Sequence, residues 1–274
     1  MNPQIEKKFN LAFNIFLVCG MFIAVALTTA FKLRQPDVKA FMLLLAGFGS
    51  LMGVVNTVMS ANGHILTFVF GFLDVLIGTI IYLDNGIYGN FALHAFYFLP
   101  MQVIGFRQWS RRGAGVKSDE GISKVRARRL SGRQWLFLAG GLVILTAALY
   151  GILYGVERLA TTRSAVSSLS QEKIFLDSLV MSLNIAGQVL LSFAYVEQWY
   201  LWILVNISSI VLWSHAIVIG SGSGNAPVML FKYVFYLLNS LNGLRIWMKL
   251  SASGQADHLD NLLFLLNFAK FSRK

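Results

Sequence analysis

Four sets of polar and aromatic residues recur at helical spacing inside stretches that are otherwise apolar. Asp177, Met181, Asn184 and Gln188 fall at i, i+4, i+7 and i+11 on one helix face. Trp199, Trp202, Asn206, Ser209 and Trp213 form a second stripe, and Lys232, Tyr236 and Asn239 a third. A fourth carries Asn90, His94, Tyr97 and Met101, with Gln102 on the adjoining face and Pro100 leaving a helix carbonyl unpaired. Amides donate and accept hydrogen bonds, and indole and phenol rings offer stacking faces, so the chemistry is noncovalent recognition of a planar, polar molecule. Two plainer readings compete. Trp and Tyr also anchor helices at membrane interfaces, and Asn and Gln also bridge helices. Trp199, close to the end of its stretch, is open to either reading; Trp202, a turn deeper, is read as a cavity residue.

Covalent chemistry has no constellation to support it. The four histidines form no metal-ligand spacing, and neither H-E-x-x-H nor G-x-x-x-x-G-K occurs. The Gly220–Gly224 run, GSGSG, has no serine at the centre of a nucleophile elbow and reads as a flexible connection. One cysteine, Cys19, excludes an intrachain disulfide framework. The expectation is a protein that is not an enzyme, with no metal and no cofactor. Three charges remain inside apolar stretches: Asp74, flanked on its own face by Gly71 and Gly78, and Asp177 and Lys232. Asp74 is open to accepting a ligand hydroxyl, carrying a proton or satisfying a neighbouring helix. Asp177 and Lys232 share a depth, which predicts a buried ion pair.

The elements that position these residues are membrane helices. Of 274 residues 56% are hydrophobic and 13% charged, with a mean hydropathy of +0.64, against about 25% charged in soluble domains. Windows long enough to cross a bilayer begin near Phe9, Ala40, His64, Gly86, Gln134, Ser170, Glu197 and Asn225. They end near Phe31, Ala61, Leu83, Phe106, Gly155, Phe193, Ile219 and Leu250. Eight transmembrane helices follow, the first a retained helix rather than a cleaved signal. The connection from Arg107 to Arg133 carries nine basic residues and is placed in the cytoplasm by the positive-inside rule. Both termini then lie inside, and 16 of the 23 Lys and Arg residues fall on that side. The net charge of +11 is thus topological, with the lipid bilayer rather than nucleic acid as partner. The apolar tail Leu259–Phe271 is too short to cross and is expected along the interface.

An internal repeat sets the architecture. Gly105-Phe-Arg-Gln-Trp109 and Gly243-Leu-Arg-Ile-Trp247 share G-x-R-x-W at an offset of 138. Upstream, an offset of 132 pairs Ser60 with Ser192, Asn56 with Gln188 and Asp74 with Asn206. An all-α polytopic fold results: two parallel three-helix bundles, 40–106 and 170–250, joined by a linker helix with its outer loop in 134–169. An additional helix, 1–39, precedes them, the basic loop spans 107–133, and 251–274 is a cytoplasmic tail. Gly49 and Gly53, and Gly151 and Gly155, make G-x-x-x-G motifs that predict close helix contacts. A substrate site on the pseudo-symmetry axis follows.

The run Tyr97-Phe-Leu-Pro-Met-Gln-Val-Ile-Gly105, the stretch Glu197-Gln-Trp-Tyr-Leu-Trp202 with its W-x-x-W, and the G-x-R-x-W endings resemble the Pnu family of bacterial B-vitamin transporters, most closely its PnuC nicotinamide riboside branch. The likeness runs from about Ala40 to Leu250. It implies a three-plus-one-plus-three fold related to the SWEET transporters and facilitated diffusion of a vitamin through the inner membrane. It also implies trapping by phosphorylation, through a separate cytoplasmic kinase. Trp199 and Trp202 match the family's W-x-x-W, and Gln102 its P-M-Q. Helix-face spacing adds Gln188, Asn206, Asn239, Asn184, Tyr236 and Tyr97 as substrate-binding candidates, and the mid-helix position of its charge adds Asp74. Thiamine or riboflavin is the alternative cargo; a membrane enzyme, or a sensor using the basic loop, is the reading from another class. The first helix is available for a homo-oligomer interface.

Overall fold

Each apolar run that is long enough to span a bilayer folds as a helix, because only a helix satisfies its own backbone polar groups away from water. The computed structural model describes residues 3–34, 39–84, 88–118, 121–160, 168–218 and 226–271. Its helices are α1 (Pro3–Lys32), α2 (Ala40–Ala61), α3 (Thr67–Asp84), α4 (Tyr88–Leu93), α5 (Leu99–Arg111), α6 (Gly132–Ala160), α7 (Ser168–Ser192), α8 (Gln198–Val218) and α9 (Ala226–Phe271). A π-turn, His94–Phe98, joins α4 to α5, so among the described residues eight long helical stretches correspond to the eight expected, the last running well past its expected end. Among the described residues five helices, α1, α2, α3, α6 and α7, are long and apolar enough to cross a membrane. The Gly220–Gly224 connection lies outside the described residues. α9 continues to Phe271 instead of breaking off near Leu250, in keeping with a stretch that has no proline to stop it.

Pro100 acts where expected but by a specific route. It has no N–H to give to the carbonyl four residues back. The chain widens just before it, and the Leu99 N–H donates to the His94 carbonyl, an i to i−5 bond.

α2 packs on α3, α8 on α9, and α7 on both α6 and α8; α5 lies against α3 and α7, and α1 against α2 and α9. The ends of α2 and α7 are built alike. Gly63 (φ +68°) and Ala194 (φ +61°) both take the left-handed conformation that closes a Schellman motif. Gly63 N–H donates to Ser60 O and His64 N–H to Met59 O; Ala194 N–H donates to Leu191 O and Tyr195 N–H to Leu190 O. The two carbonyls at matching places then accept crossed bonds: Trp247 Nε1 donates to Ser60 O and Trp109 Nε1 to Leu191 O, both at 2.9 Å. Both tryptophans are fully buried.

The same crossing explains the glycines of the G-x-R-x-W endings. A Cβ on Gly105 would lie 2.1 Å from the Phe68 ring, and one on Gly243 would lie 2.5 Å from the Trp199 ring. Gly63 with Ala194, Ser60 with Leu191 and Phe68 with Trp199 are each 131 apart, so the offset of 132 is corrected by one. A one-residue slip turns a helix by about 100°, enough to match the wrong faces.

The basic connection is not simply a solvated loop. Its Ala114, Val125 and Ala127 join the core cluster of Trp109, Trp199 and Trp247. Val125 N–H donates to Gly63 O, Arg128 N–H to Ala194 O and Val196 N–H to Arg128 O, strapping the segment to both Schellman turns. Arg128 also donates through Nε and Nη2 to Phe193 O and stacks 4.6 Å over the Tyr195 ring. A short antiparallel pair, Lys117–Ser118 with Gly121–Ile122, closes the loop's tip.

Of the two G-x-x-x-G motifs, one is a contact. A Cβ on Gly49 would meet Ile77 at 2.7 Å and one on Gly53 would meet the Asp74 carboxylate at 2.8 Å, which brings α2 against α3. Gly151 and Gly155 have nothing within 4 Å of a built Cβ, so the second motif packs no helix among the described residues. These two glycines lie on the side of α6 turned away from its neighbours.

Candidate functional site

A cavity of about 270 Å³ opens between α2, α7, α8 and α9. α7 contributes Asn184 and Gln188, α8 contributes Trp199, Trp202, Asn206 and Ser209, and α9 contributes Tyr233, Tyr236, Asn239 and Ser240. α2 supplies Asn56, Thr57 and Ser60. Three of the stripes read from the sequence thus converge on one chamber, because helices packed side by side turn their polar faces inward, away from lipid. Asp177, Met181 and Trp213, at the far ends of their stripes, are not among the lining residues.

The amides are held by their nitrogen ends. Asn206 Nδ2 donates to Ser240 Oγ at 3.0 Å, Asn184 Nδ2 to Val180 O at 2.7 Å, Asn239 Nδ2 to Thr57 O at 3.0 Å and Gln188 Nε2 to Ser192 Oγ at 3.4 Å. Each amide thus keeps its oxygen and one further N–H to offer a ligand. Thr67 Oγ1 donates to Asn56 Oδ1 at 2.5 Å and fixes that amide too. A chamber of aromatic faces and amide oxygens, without a formal charge on its lining, suits a flat molecule with a delocalised positive charge.

Three expected residues lie outside the lining. Gln102 is buried behind it: its Oε1 and Asn56 Nδ2 both converge on Gly71, at 2.6 and 3.1 Å from a built Cβ. Tyr97 donates its hydroxyl to Ile185 O at 2.7 Å, tying the π-turn to α7. Asp74 presses on Gly53 and lies in the electrostatic reach of Lys232.

The expected ion pair between Asp177 and Lys232 is replaced by a different arrangement. Asp177 is exposed on α7. Lys232 sits 5.3 Å over the Tyr236 ring, with Asp74, Tyr82 and Tyr233 as its other charged or phenolic neighbours. Equal depth does not fix azimuth, and Lys232 faces a second cavity, of about 220 Å³, between α1, α2 and α9. Asn56, Thr57, Ser60 and Ser240 are lining residues that the stripe search did not put in the site. The mid-helix Asn56-Thr57 pair was the available signal.

Among the described residues no three His, Cys, Asp or Glu side chains gather as a metal site. Residues 43–249 match the family described as nicotinamide mononucleotide transporter. The chain belongs to that family. It is a bacterial membrane transporter, not an enzyme. Among similar transporters, the nicotinamide riboside transporter PnuC of Neisseria mucosa is 32% identical over 206 residues, covering 75% of this chain and 72% of that protein. PnuC of Haemophilus influenzae is 29% identical over 206 residues, covering 75% of this chain and 80% of that protein. The crystal structure of the vitamin B3 transporter PnuC superposes with a TM-score of 0.61 at 28% identity, over 87% of this chain and 93% of that one.

Proposed function

We propose that this transporter carries nicotinamide riboside across the bacterial inner membrane by facilitated diffusion. The observation that carries the reading is the single chamber in which Trp199, Trp202, Gln188, Asn206, Asn239, Asn184 and Tyr236 meet, in a chain whose relatives bear that substrate's name. The pyridinium ring of nicotinamide riboside is a flat cation. It stacks on Trp202, where an aromatic face contributes roughly 0.5 to 2 kcal/mol toward a cation. Lys232 already occupies one face of Tyr236, which favours the uncharged ribose at that end and the ring at the tryptophan end. The amide oxygens of Gln188, Asn206 and Asn184 accept from the ribose hydroxyls. Gln102 supports Asn56 from behind, Tyr97 holds the π-turn, and Asp74 balances Lys232.

The architecture proposed is two three-helix bundles, α2 to α5 and α7 to α9, linked by α6 and preceded by α1, with eight crossings and both termini in the cytoplasm. The crossed bonds of Trp109 and Trp247 support a two-fold relation between the bundles. Rocking of one bundle against the other alternates access, and phosphorylation of the vitamin by a separate cytoplasmic kinase traps it. The first helix and the bare face of α6 are the surfaces a second copy would use.

The test is equilibrium binding to the purified protein. Nicotinamide riboside is expected to bind at least tenfold tighter than thiamine or riboflavin, about 1.4 kcal/mol, and Trp202→Ala or Asn206→Ala to weaken it by the same margin. Tighter binding of thiamine or riboflavin, or unchanged affinity in both variants, overturns the reading.

A further inference from the structure

The second cavity, of about 220 Å³ between α1, α2 and α9, has no part in the transport reading. Its α1 wall runs from Met21 to Thr29 and its α2 wall from Leu43 to Val54, about 12 and 16 Å of helix at about 1.5 Å per residue. One leaflet of a bilayer's hydrocarbon core is about 15 Å deep. α1 ends at Lys32, α2 begins at Ala40 and α9 begins at Ala226, so the three walls start from one membrane face. Polarity is graded along them: Thr28, Thr29 and Lys232 stand nearer the helix ends, and Met21 and Val54 lie deeper.

Lys232 is the one charged residue on this lining. Thr28 Oγ1 donates to Ala24 O and Ser50 Oγ to Ala46 O, so neither of those hydroxyl hydrogens is offered to the cavity. An ammonium has three N–H donors, and the contacts of Lys232 are with the ring and hydroxyl of Tyr236. Asp74 acts on it through space, but Asp74 packs on Gly53 and does not line the cavity. Among the described residues no carboxylate comes within 4.0 Å of the ammonium. The Lys232 Cα lies about 9 Å of helix rise from Ala226. Its Cβ leans back toward that end, and a lysine stem runs along apolar surface while its head reaches for the interface.

An apolar slot one leaflet deep, with a single cation toward its mouth, is the complement of one acyl chain below a phosphate. We propose that this cavity holds one chain of an anionic phospholipid from the surrounding leaflet, with the lipid phosphate on Lys232. α1 supplies one wall and lies outside the family-matched residues 43–249, so the lipid fills the seam between that helix and the transport core. The site is independent of the cargo reading, since Tyr236 is the one lining residue the two cavities share.

Native mass spectrometry of the purified full chain, equilibrated with phosphatidylglycerol and phosphatidylcholine of identical chains, counts the lipids that stay bound. The wild type is expected to favour phosphatidylglycerol about fivefold, the weight of one lysine against an anionic headgroup. The basic connection also attracts anionic lipid, so the variants locate the site. Lys232→Gln, and Ala24→Phe, which fills the cavity from α1 without touching the cargo chamber, should each lose one bound phosphatidylglycerol. Thermal unfolding of the wild type in detergent needs no variant: phosphatidylglycerol should raise the melting temperature, and inorganic phosphate at the same concentration should not. Equal retention of the two lipids by the wild type, an unchanged phosphatidylglycerol count in both folded variants, or full stabilisation by phosphate alone overturns the proposal.

Discussion

Replacing Gly243 by alanine puts a methyl where the structure has least room beside the cargo chamber. The new Cβ would lie 2.5, 2.6 and 2.7 Å from Cη2, Cζ3 and Cζ2 of Trp199. Carbon atoms rest about 3.5 to 4.0 Å apart, so the indole must retreat by about 1 Å. Trp247 packs edge-on at 6.0 Å from the Trp199 ring centroid, and the cavity itself is the open direction. Overpacking of this kind costs about 1–3 kcal/mol in stability, and the displaced ring takes space from the ligand. The expected loss in nicotinamide riboside affinity is about tenfold or more, roughly 1.4 kcal/mol. Gly105→Ala is the matched control. Its Cβ would strike the Phe68 ring at 2.1 Å, a clash at least as severe, but Phe68 does not line the chamber. Calorimetry and thermal unfolding in the same detergent should show both variants destabilised and only Gly243→Ala impaired in binding. Equal affinity loss in the two, or full affinity in Gly243→Ala, refutes the placement of the chamber against Trp199.

Other consequences follow from separate parts of the molecule. Trp247→Phe and Trp109→Phe each remove one of two donors from a buried carbonyl that keeps its Schellman N–H, and each should lower stability by about 0.5–1.5 kcal/mol, similar in size because the bonds are crossed and equal in length; thermal unfolding compares them. Gly53→Ala forces a methyl onto the Asp74 carboxylate and should reduce folded yield, whereas Gly151→Ala meets nothing within 4 Å and should be neutral by the same measure. His64 accepts the Leu66 N–H on Nδ1, and burial, with Lys124 nearby, holds it below its ordinary value of 6.5. Its contribution to stability is therefore complete above pH 6.5 and lost as pH falls below that value. The pH dependence of the melting temperature should flatten in His64→Gln.

The helices were legible because a bilayer imposes a minimum length and excludes charge, so α2, for example, begins and ends where its apolar run does. The aromatic and amide stripes were legible for a related reason: Gln188, Asn206 and Asn239 are too polar to face lipid, so their azimuth reveals the chamber. Azimuth between helices was not legible. Lys232 and Asp177 share a depth, and only packing shows that Lys232 turns toward Tyr236 and Asp74. The mid-helix Asn56-Thr57 pair was visible, but it stands on a helix whose other residues give little polar pattern, so it formed no stripe that placed it in the site. The basic segment has no periodicity, and its strapping through Val125 and Arg128 is set by backbone bonds that side-chain types do not encode. The repeat was visible in the glycine and tryptophan of its endings, but its register elsewhere became clear only from the contacts of Ser60 with Trp247 and Leu191 with Trp109.

The central claim, that this chain moves nicotinamide riboside passively, is tested most directly by uptake into lipid vesicles containing only the purified protein. Labelled nicotinamide riboside should enter faster than in protein-free vesicles and equilibrate without ATP or an imposed ion gradient, and unlabelled nicotinamide riboside should compete. Uptake no faster than in empty vesicles, or uptake that accumulates the vitamin against its gradient only when an ion gradient is present, contradicts it.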